Sequence, residues 1–169
     1  MSEVRVGLGV DAHALAEGVP LVLGGVEIES PRGLAGHSDG DVIAHALIDA
    51  LLGAAGLGDI GSLFPPGEPE WEGASSLDLL GRAGAQVREA GWELVNADCI
   101  LIGEEPRIAP LREQMRQRLA EALGADPDRI NVRATTTDKL GFTGRSQGLA
   151  AQAVALVERA GVAGGSNPK

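Results

Sequence analysis

The chain has 169 residues, 44% of them hydrophobic, which is enough for one domain with a substantial core. A formal net charge of −10 with no basic stripe argues against nucleic acid as a partner. No apolar run reaches the roughly 20 residues needed to span a bilayer, and no membrane partner is expected. Met1 to Arg5 leads straight into a strand pattern with no signal-peptide character, and the single Cys99 rules out an internal disulfide, so a cytoplasmic protein is expected. Only 2% of the residues are aromatic, so the core must be built from Leu, Val, Ile and Ala.

In chain order, Val4 to Val10 predicts a strand, and the same apolar run ends in Asp11-Ala12-His13. Leu21 to Ile28 predicts a hairpin-like pair turning at Gly24-Gly25, and Pro31 to His37 a loop. From Asp41 to about Leu57 the apolar spacing predicts a buried helix, capped by Ser38 or Asp39, with Asp41 in its first turn. The glycines and prolines between Gly58 and Gly73 exclude regular structure and predict a flap. A helix is expected from about Ser75 to Glu89, with Leu77, Leu79, Leu80, Ala83 and Val87 inward. A strand from Leu94 to Ile102, a helix from Ala109 to Leu123 and a strand from Ile130 to Thr137 follow. A last amphipathic helix is expected over Gln147–Ala160, with a flexible tail over 161–169. The pattern is α+β: one domain over 1–160, mostly a β layer with helices on one face. Val6, Leu8 and Val10 alternate with Arg5, Gly7 and Gly9, and Cys99 and Leu101 with Ile100 and Ile102. A sheet apolar on both faces, with helices for only one, predicts burial against copies of itself.

Two groupings carry chemistry. Asp11 and His13, two apart on a strand, point to one face, and His45 on the following helix is the third candidate ligand. Two His and one carboxylate leave a tetrahedral Zn²⁺ with an open fourth position. Taken alone, Asp-x-His is a weak pattern, but the chain's three His all lie in its first third, at 13, 37 and 45. Asp41, His45 and Asp49 fall at i, i+4 and i+8, so Asp49 is either an acceptor orienting His45 or a solvated carboxylate. Ala134-Thr135-Thr136-Thr137-Asp138-Lys139 reads either as an ordinary β-Thr run ending in a turn or as a phosphate grip with a hard-cation carboxylate at Asp138. Arg145, on a glycine-flanked turn with Phe142, either grips a phosphate or faces solvent.

Asp11-Ala12-His13, His37-Ser38-Asp39-Gly40-Asp41, His45 through Gly61, and Thr135 through Arg145 together resemble the 2-C-methyl-D-erythritol 2,4-cyclodiphosphate synthase family of the non-mevalonate isoprenoid pathway. The match runs in order from Val4 to about Ala160. The resemblance implies a lyase and a homotrimer, with sheets packed around its axis and active sites between subunits. It implies Zn²⁺ on Asp11, His13 and His45, and Mg²⁺ or Mn²⁺ on Asp138 together with substrate phosphates. It assigns His37 and Thr136 to positioning phosphates in the transition state. It places Asp59, Ile60 and Gly61, with the flap from Phe64 through Glu68, on the methylerythritol-phosphate side, and adds Asp11, His13, His37 and Ser38 to the substrate-binding residues. The cytidine falls to Gly103, Pro106, Arg107, Ala109, Thr135, Thr136 and Thr137 of a neighbouring subunit; Asp138 also contacts substrate, and Phe142 and Arg145 match residues of the trimer's internal cavity that count among the substrate-binding residues too.

Three features depart from the family pattern. Asp138 stands where Glu is usual, the flap reads Pro66-Gly67-Glu68 where carboxylates and hydroxyls follow Phe-Pro, and Gly103 to Arg107 is acidic for a diphosphate site. The implied substrate is 4-diphosphocytidyl-2-C-methyl-D-erythritol 2-phosphate, cyclised with release of cytidine monophosphate. Two alternatives stand beside it: a zinc-dependent phosphohydrolase using Asp41, Asp59 or Glu68 as base, and a non-catalytic trimer that binds isoprenoid diphosphates or nucleotides around a structural zinc.

Overall fold

The computed structural model describes residues 2–161. The tail expected over 161–169 therefore lies, beyond Gly161, outside the described residues.

Strand β1 runs over Val4–Glu17, well past Val10, so Asp11 and His13 sit inside a strand opposite Ala151 and Leu149. Next come β2 (Leu21–Leu23) and β3 (Val26–Ile28), the expected hairpin, turning through Gly24 and Gly25 at φ of +57° and +74°. Within the segment expected as a loop, β4 (Arg32–Leu34) pairs with the end of β1.

Helix α1 spans Val42–Ala55, capped by Asp41 and not by Ser38 or Asp39. Asp41 is fully buried, and its carboxylate accepts from Ile43 N and Ala44 N (both 3.1 Å), Gly24 N (2.9 Å) and Gly25 N (2.7 Å). One side chain thus closes the helix N-terminus and ties it to the hairpin. Burial pushes the Asp41 carboxyl up to about 6 against the pull of those N–H donors.

The segment 58–73 is more ordered than its composition suggests. It holds α2 (Ile60–Leu63), closed by a capping box between Asp59 and Ser62, and a 3-10 turn at Pro69–Trp71. Helix α3 (Ser76–Glu89) buries Leu79, Leu80, Ala83 and Val87 as expected, while Leu77 is only half-buried. It leads into β5 (Trp92–Ile102), followed by a 3-10 turn at Ala109–Leu111, α4 (Arg112–Leu123) and β6 (Ile130–Thr135). A single turn of helix, α5 (Gly141–Gly144), precedes the last element.

That element corrects the sequence reading: Gly148–Arg159 is a strand, β7, and not a helix. It is the middle strand of a five-stranded mixed sheet ordered β4-β1-β7-β5-β6, antiparallel to both β1 and β5, while β5 and β6 run parallel. Alanine has the highest helix propensity of any residue, and four alanines in Gly148–Arg159 favour a helical reading. The burial has period two instead: Leu149, Ala151, Ala153, Ala155 and Val157 face the helices, each 0–1% exposed.

Those small residues have a physical purpose, because α1 lies directly on the sheet. A Cβ on Gly7 would sit 1.9 Å from the Ala50 carbonyl oxygen, and one on Gly9 would sit 1.8 Å from that of Ala46. The helices cover this one face. On the other, Val4, Val6, Leu8 and Val10 are each more than half exposed, and Val154 of β7 is exposed beside them. Such an uncovered apolar strip is larger than scattered surface hydrophobes account for.

Gly9→Ala is expected to force α1 off β1, since the clash is with backbone. The expected cost is about 3 kcal/mol, read as a lower urea midpoint by circular dichroism. An unchanged midpoint would show that the helix accommodates the methyl group.

Candidate metal centre

The strand period places Asp11 and His13 on the helix-facing side of β1, and the close approach of α1 brings His45, in its first turn, against them. Asp11 Oδ2 lies 2.9 Å from His45 Nδ1 and 3.0 Å from His13 Nε2, and the two ring nitrogens are 3.3 Å apart. Ligands about 2.05 Å from a tetrahedral centre stand about 3.3 Å from one another, so the three atoms converge as ligands of one small ion do. Among the described residues these are the only three of His, Cys, Asp and Glu type grouped closely enough to hold a metal.

The outer nitrogen of each imidazole is also engaged. His13 Nδ1 lies 2.8 Å from the Ala35 carbonyl oxygen, which can only accept, so Nδ1 carries a proton and Nε2 is the nitrogen left to take a metal. His45 Nε2 lies 2.9 Å from Ser38 Oγ and 2.8 Å from Ser76 Oγ. Burial alone would push the Asp11 carboxyl up; the imidazoles of His13 and His45 beside it override that and hold it at about 2. The Asp11 carboxylate beside it raises His13 despite partial burial. Two imidazole nitrogens and one carboxylate oxygen converging in this way could hold one metal ion.

The triad opens into a cavity of about 230 Å³. His37 and Ser38 line one side of it, and Ile60, Gly61 and Phe64 line another, so these expected site residues do meet the triad. Pro66 lines the cavity where Glu68 was expected, and supplies an apolar wall. Glu68 touches the site only through its backbone carbonyl, 3.5 Å from His37 Nε2. Asp59 is engaged in the capping box of α2, where the Ser62 N–H holds its carboxyl below the usual range.

Asp49 does not orient His45: its Oδ1 accepts from Ile60 N at 2.7 Å, fixing the start of α2 beside the cavity. Asp41 lies under the hairpin with every nearby donor engaged, and so is removed from the candidate bases. Trp71, not anticipated from the sequence, closes the cavity edge-on to Phe64, with ring centroids 5.0 Å apart, and stacks under Arg82. A lone Trp in an otherwise polar, proline-rich stretch was the available signal. Ser76 was also missed; nothing local distinguishes it from a helix-capping serine.

The second grouping forms elsewhere on the same sheet. Gly103 N donates to Thr135 O at 3.0 Å and Lys139 N to Glu104 Oε1 at 2.9 Å, which joins the Gly103 turn to the Thr135–Lys139 turn. Thr135, Thr136 and Asp138 are exposed, whereas Thr137 secures the turn through Leu140 O (2.7 Å) and Thr143 Oγ1 (3.0 Å). Asp138 and Lys139 adopt left-handed φ of 50° and 64°. Pro106 and Arg107 line a separate groove with Arg32, and Ala109 is exposed at the start of its 3-10 turn. Phe142 and Arg145 are exposed on the α5 turn. Within the chain, β7 and β5 separate the β1 ligands from β6, about 14 Å at the usual strand spacing.

This arrangement has close relatives. The chain is 57% identical over 163 residues to a 2-C-methyl-D-erythritol 2,4-cyclodiphosphate synthase from Rubrobacter xylanophilus, covering 95% of this chain and 98% of that one. Among solved structures, it superposes on the bifunctional IspDF of Campylobacter jejuni with a TM-score of 0.90 at 45% identity, covering 94% of this chain and 43% of that longer one. It superposes on the Plasmodium falciparum IspF CDP complex with a TM-score of 0.81 at 31% identity, covering 94% and 97%. A model of the YgbB family matches residues 4–158, and the chain belongs to that family.

Proposed function

We propose that the protein is a 2-C-methyl-D-erythritol 2,4-cyclodiphosphate synthase. It converts 4-diphosphocytidyl-2-C-methyl-D-erythritol 2-phosphate to the 2,4-cyclodiphosphate and cytidine monophosphate. The observation that carries this reading is the Asp11–His13–His45 triad opening into the cavity of a fold whose relatives bear that name.

In the reaction an oxygen of the 2-phosphate attacks the β-phosphorus. The bond from that phosphorus to the oxygen bridging to the α-phosphate breaks, and cytidine monophosphate departs with the electron pair. The nucleophile is already an anion and needs no general base, in keeping with Asp41 and Asp59 both serving helix caps. What the reaction needs is alignment and charge neutralisation, and the chain itself carries −10. Zn²⁺ held by Asp11, His13 and His45, and Mg²⁺ or Mn²⁺ held by Asp138, supply Lewis acidity and neutralise phosphate charge when bound. Asp138 fits such an ion: it is exposed on a tight turn, and one carboxylate plus substrate phosphates is a usual Mg²⁺ ligand set.

The chain's own groups hold the substrate. Phe64, Trp71 and Leu79 give the methylerythritol an apolar wall, and Ile60 and Gly61 border it. His37 and Thr136 position phosphates, and the Gly103–Ala109 and Thr135–Thr137 segments take the cytidine, a reading supported by the relative solved with CDP. Because β1 and β6 stand three strands apart, the nucleotide segments serve the triad of a neighbouring subunit. The uncovered Val4–Val10 strip is the surface that buries in a homotrimer. The lone buried Cys99 thiol suits a cytoplasmic location.

Phosphorus NMR of the protein with substrate, zinc and Mg²⁺ is expected to show a cyclic diphosphate and cytidine monophosphate in equal amounts. His45→Ala should lose zinc and slow turnover roughly a thousandfold, equivalent to about 4 kcal/mol. Inorganic phosphate as product, or zinc retained by the variant, would contradict the assignment. Leu8→Glu should yield a folded monomer by sedimentation that binds zinc but does not turn over; an intact trimer would place the interface elsewhere.

A further inference from the structure

His45 is the ligand with the most demanding geometry, because its metal-facing nitrogen is Nδ1, close to the backbone, and a small rotation of the ring would remove it. Ser76, at the first position of α3, is fully buried, and its Oγ lies 2.8 Å from His45 Nε2. The same hydroxyl is hydrogen-bonded to Asp39 Oδ1, while Ser76 N donates to Asp39 Oδ2 at 3.0 Å. A carboxylate accepts and does not donate. The single hydroxyl proton of Ser76 therefore goes to Asp39, and its oxygen lone pair is left to accept from His45 Nε2–H. That fixes the proton on Nε2 and leaves Nδ1 unprotonated toward Asp11 and His13.

We infer that Asp39 and Ser76 form a clamp that sets the tautomer and ring orientation of His45, making both of them positioning residues for the metal. Ser38 also reaches Nε2, at 2.9 Å, but it is only half-buried and lines the cavity. With no carboxylate to fix its proton, its hydroxyl is free to turn to a bound phosphate. The clamp is braced from behind: Asp39 N donates to Ala74 O (3.2 Å) and Gly73 N to His37 O (2.9 Å). These two bonds join the loop carrying Asp39 to the segment leading into α3. The far end of the flap is thereby anchored to the element that orients a metal ligand.

The inference rests on the triad being a zinc site, and the test separates the two. Zinc affinity is measured on the full chain by competition with a chelator, with circular dichroism as the check on folding. Ser76→Ala is expected to bind zinc about tenfold more weakly. Asp39→Ala combined with Ser76→Ala should be no weaker than Ser76→Ala by more than about twofold, since Asp39 acts through the serine. Long-range nitrogen–proton NMR of the zinc-loaded wild type, which has only three His to assign, should find a slowly exchanging proton on His45 Nε2. Unchanged zinc affinity in a folded Ser76→Ala, or no such proton in the wild type, would overturn the clamp while leaving the triad standing. Zinc binding unaffected by His45→Ala would instead remove the triad itself.

Discussion

The site depends on one close approach: α1 rests on β1 and β7 with no side chain between its backbone and the two glycines of β1. Gly7 and Gly9 face the carbonyls of Ala50 and Ala46 at distances where even a methyl group does not fit. Because the glycines let the helix sit this low on the sheet, His45 reaches Asp11 and His13 with its short Nδ1 side. The alanines of β7 extend the same smooth floor. Asp41 then fixes the helix along its axis, bonding the first turn and the Gly24-Gly25 hairpin through one buried carboxylate. Leaving those buried N–H groups unpaired would cost about 1–3 kcal/mol each, so the register of α1 is strongly determined. Ligands carried on a strand and a helix locked in this way are held more firmly than ligands on loops.

From that frame the division of labour follows. The β1–α1 junction carries the triad, the β5–β6 end carries the threonine and Gly103 turns, and the two are separated by the width of two strands. In the proposed trimer the exposed valines and leucine of β1 bring one subunit's nucleotide turns to another's metal. Three sites then share one buried apolar centre. An acidic chain handling an acidic substrate can do so only if cations stand between them. The triad's imidazoles are aimed by Ala35 on one side and by serines on the other.

The ligand set was legible in the sequence because its logic is local: Asp11 and His13 share a strand face, and His45 follows a turn rich in cap residues. The hairpin, α3 and the two-faced apolar pattern of β1 were legible for the same reason. Gly148–Arg159 was misread because its alanines, chosen for thinness under α1, are also the best helix formers, and only the period-two burial separates the readings. Asp41 and Asp49 were placed near His45 by helical spacing, yet each is engaged by backbone N–H groups of another segment. Ser76 was invisible because its partners, Asp39 and His45, lie 37 and 31 residues away, and nothing local marks a hydrogen bond made across the fold.

The measurement that tests the account most directly is anomalous diffraction at the zinc edge from crystals of the zinc-loaded protein. The account predicts one peak per chain, bonded to Asp11 Oδ2, His13 Nε2 and His45 Nδ1, with a fourth ligand that is not a protein atom. A peak elsewhere, or a fourth protein ligand closing the shell, would contradict it.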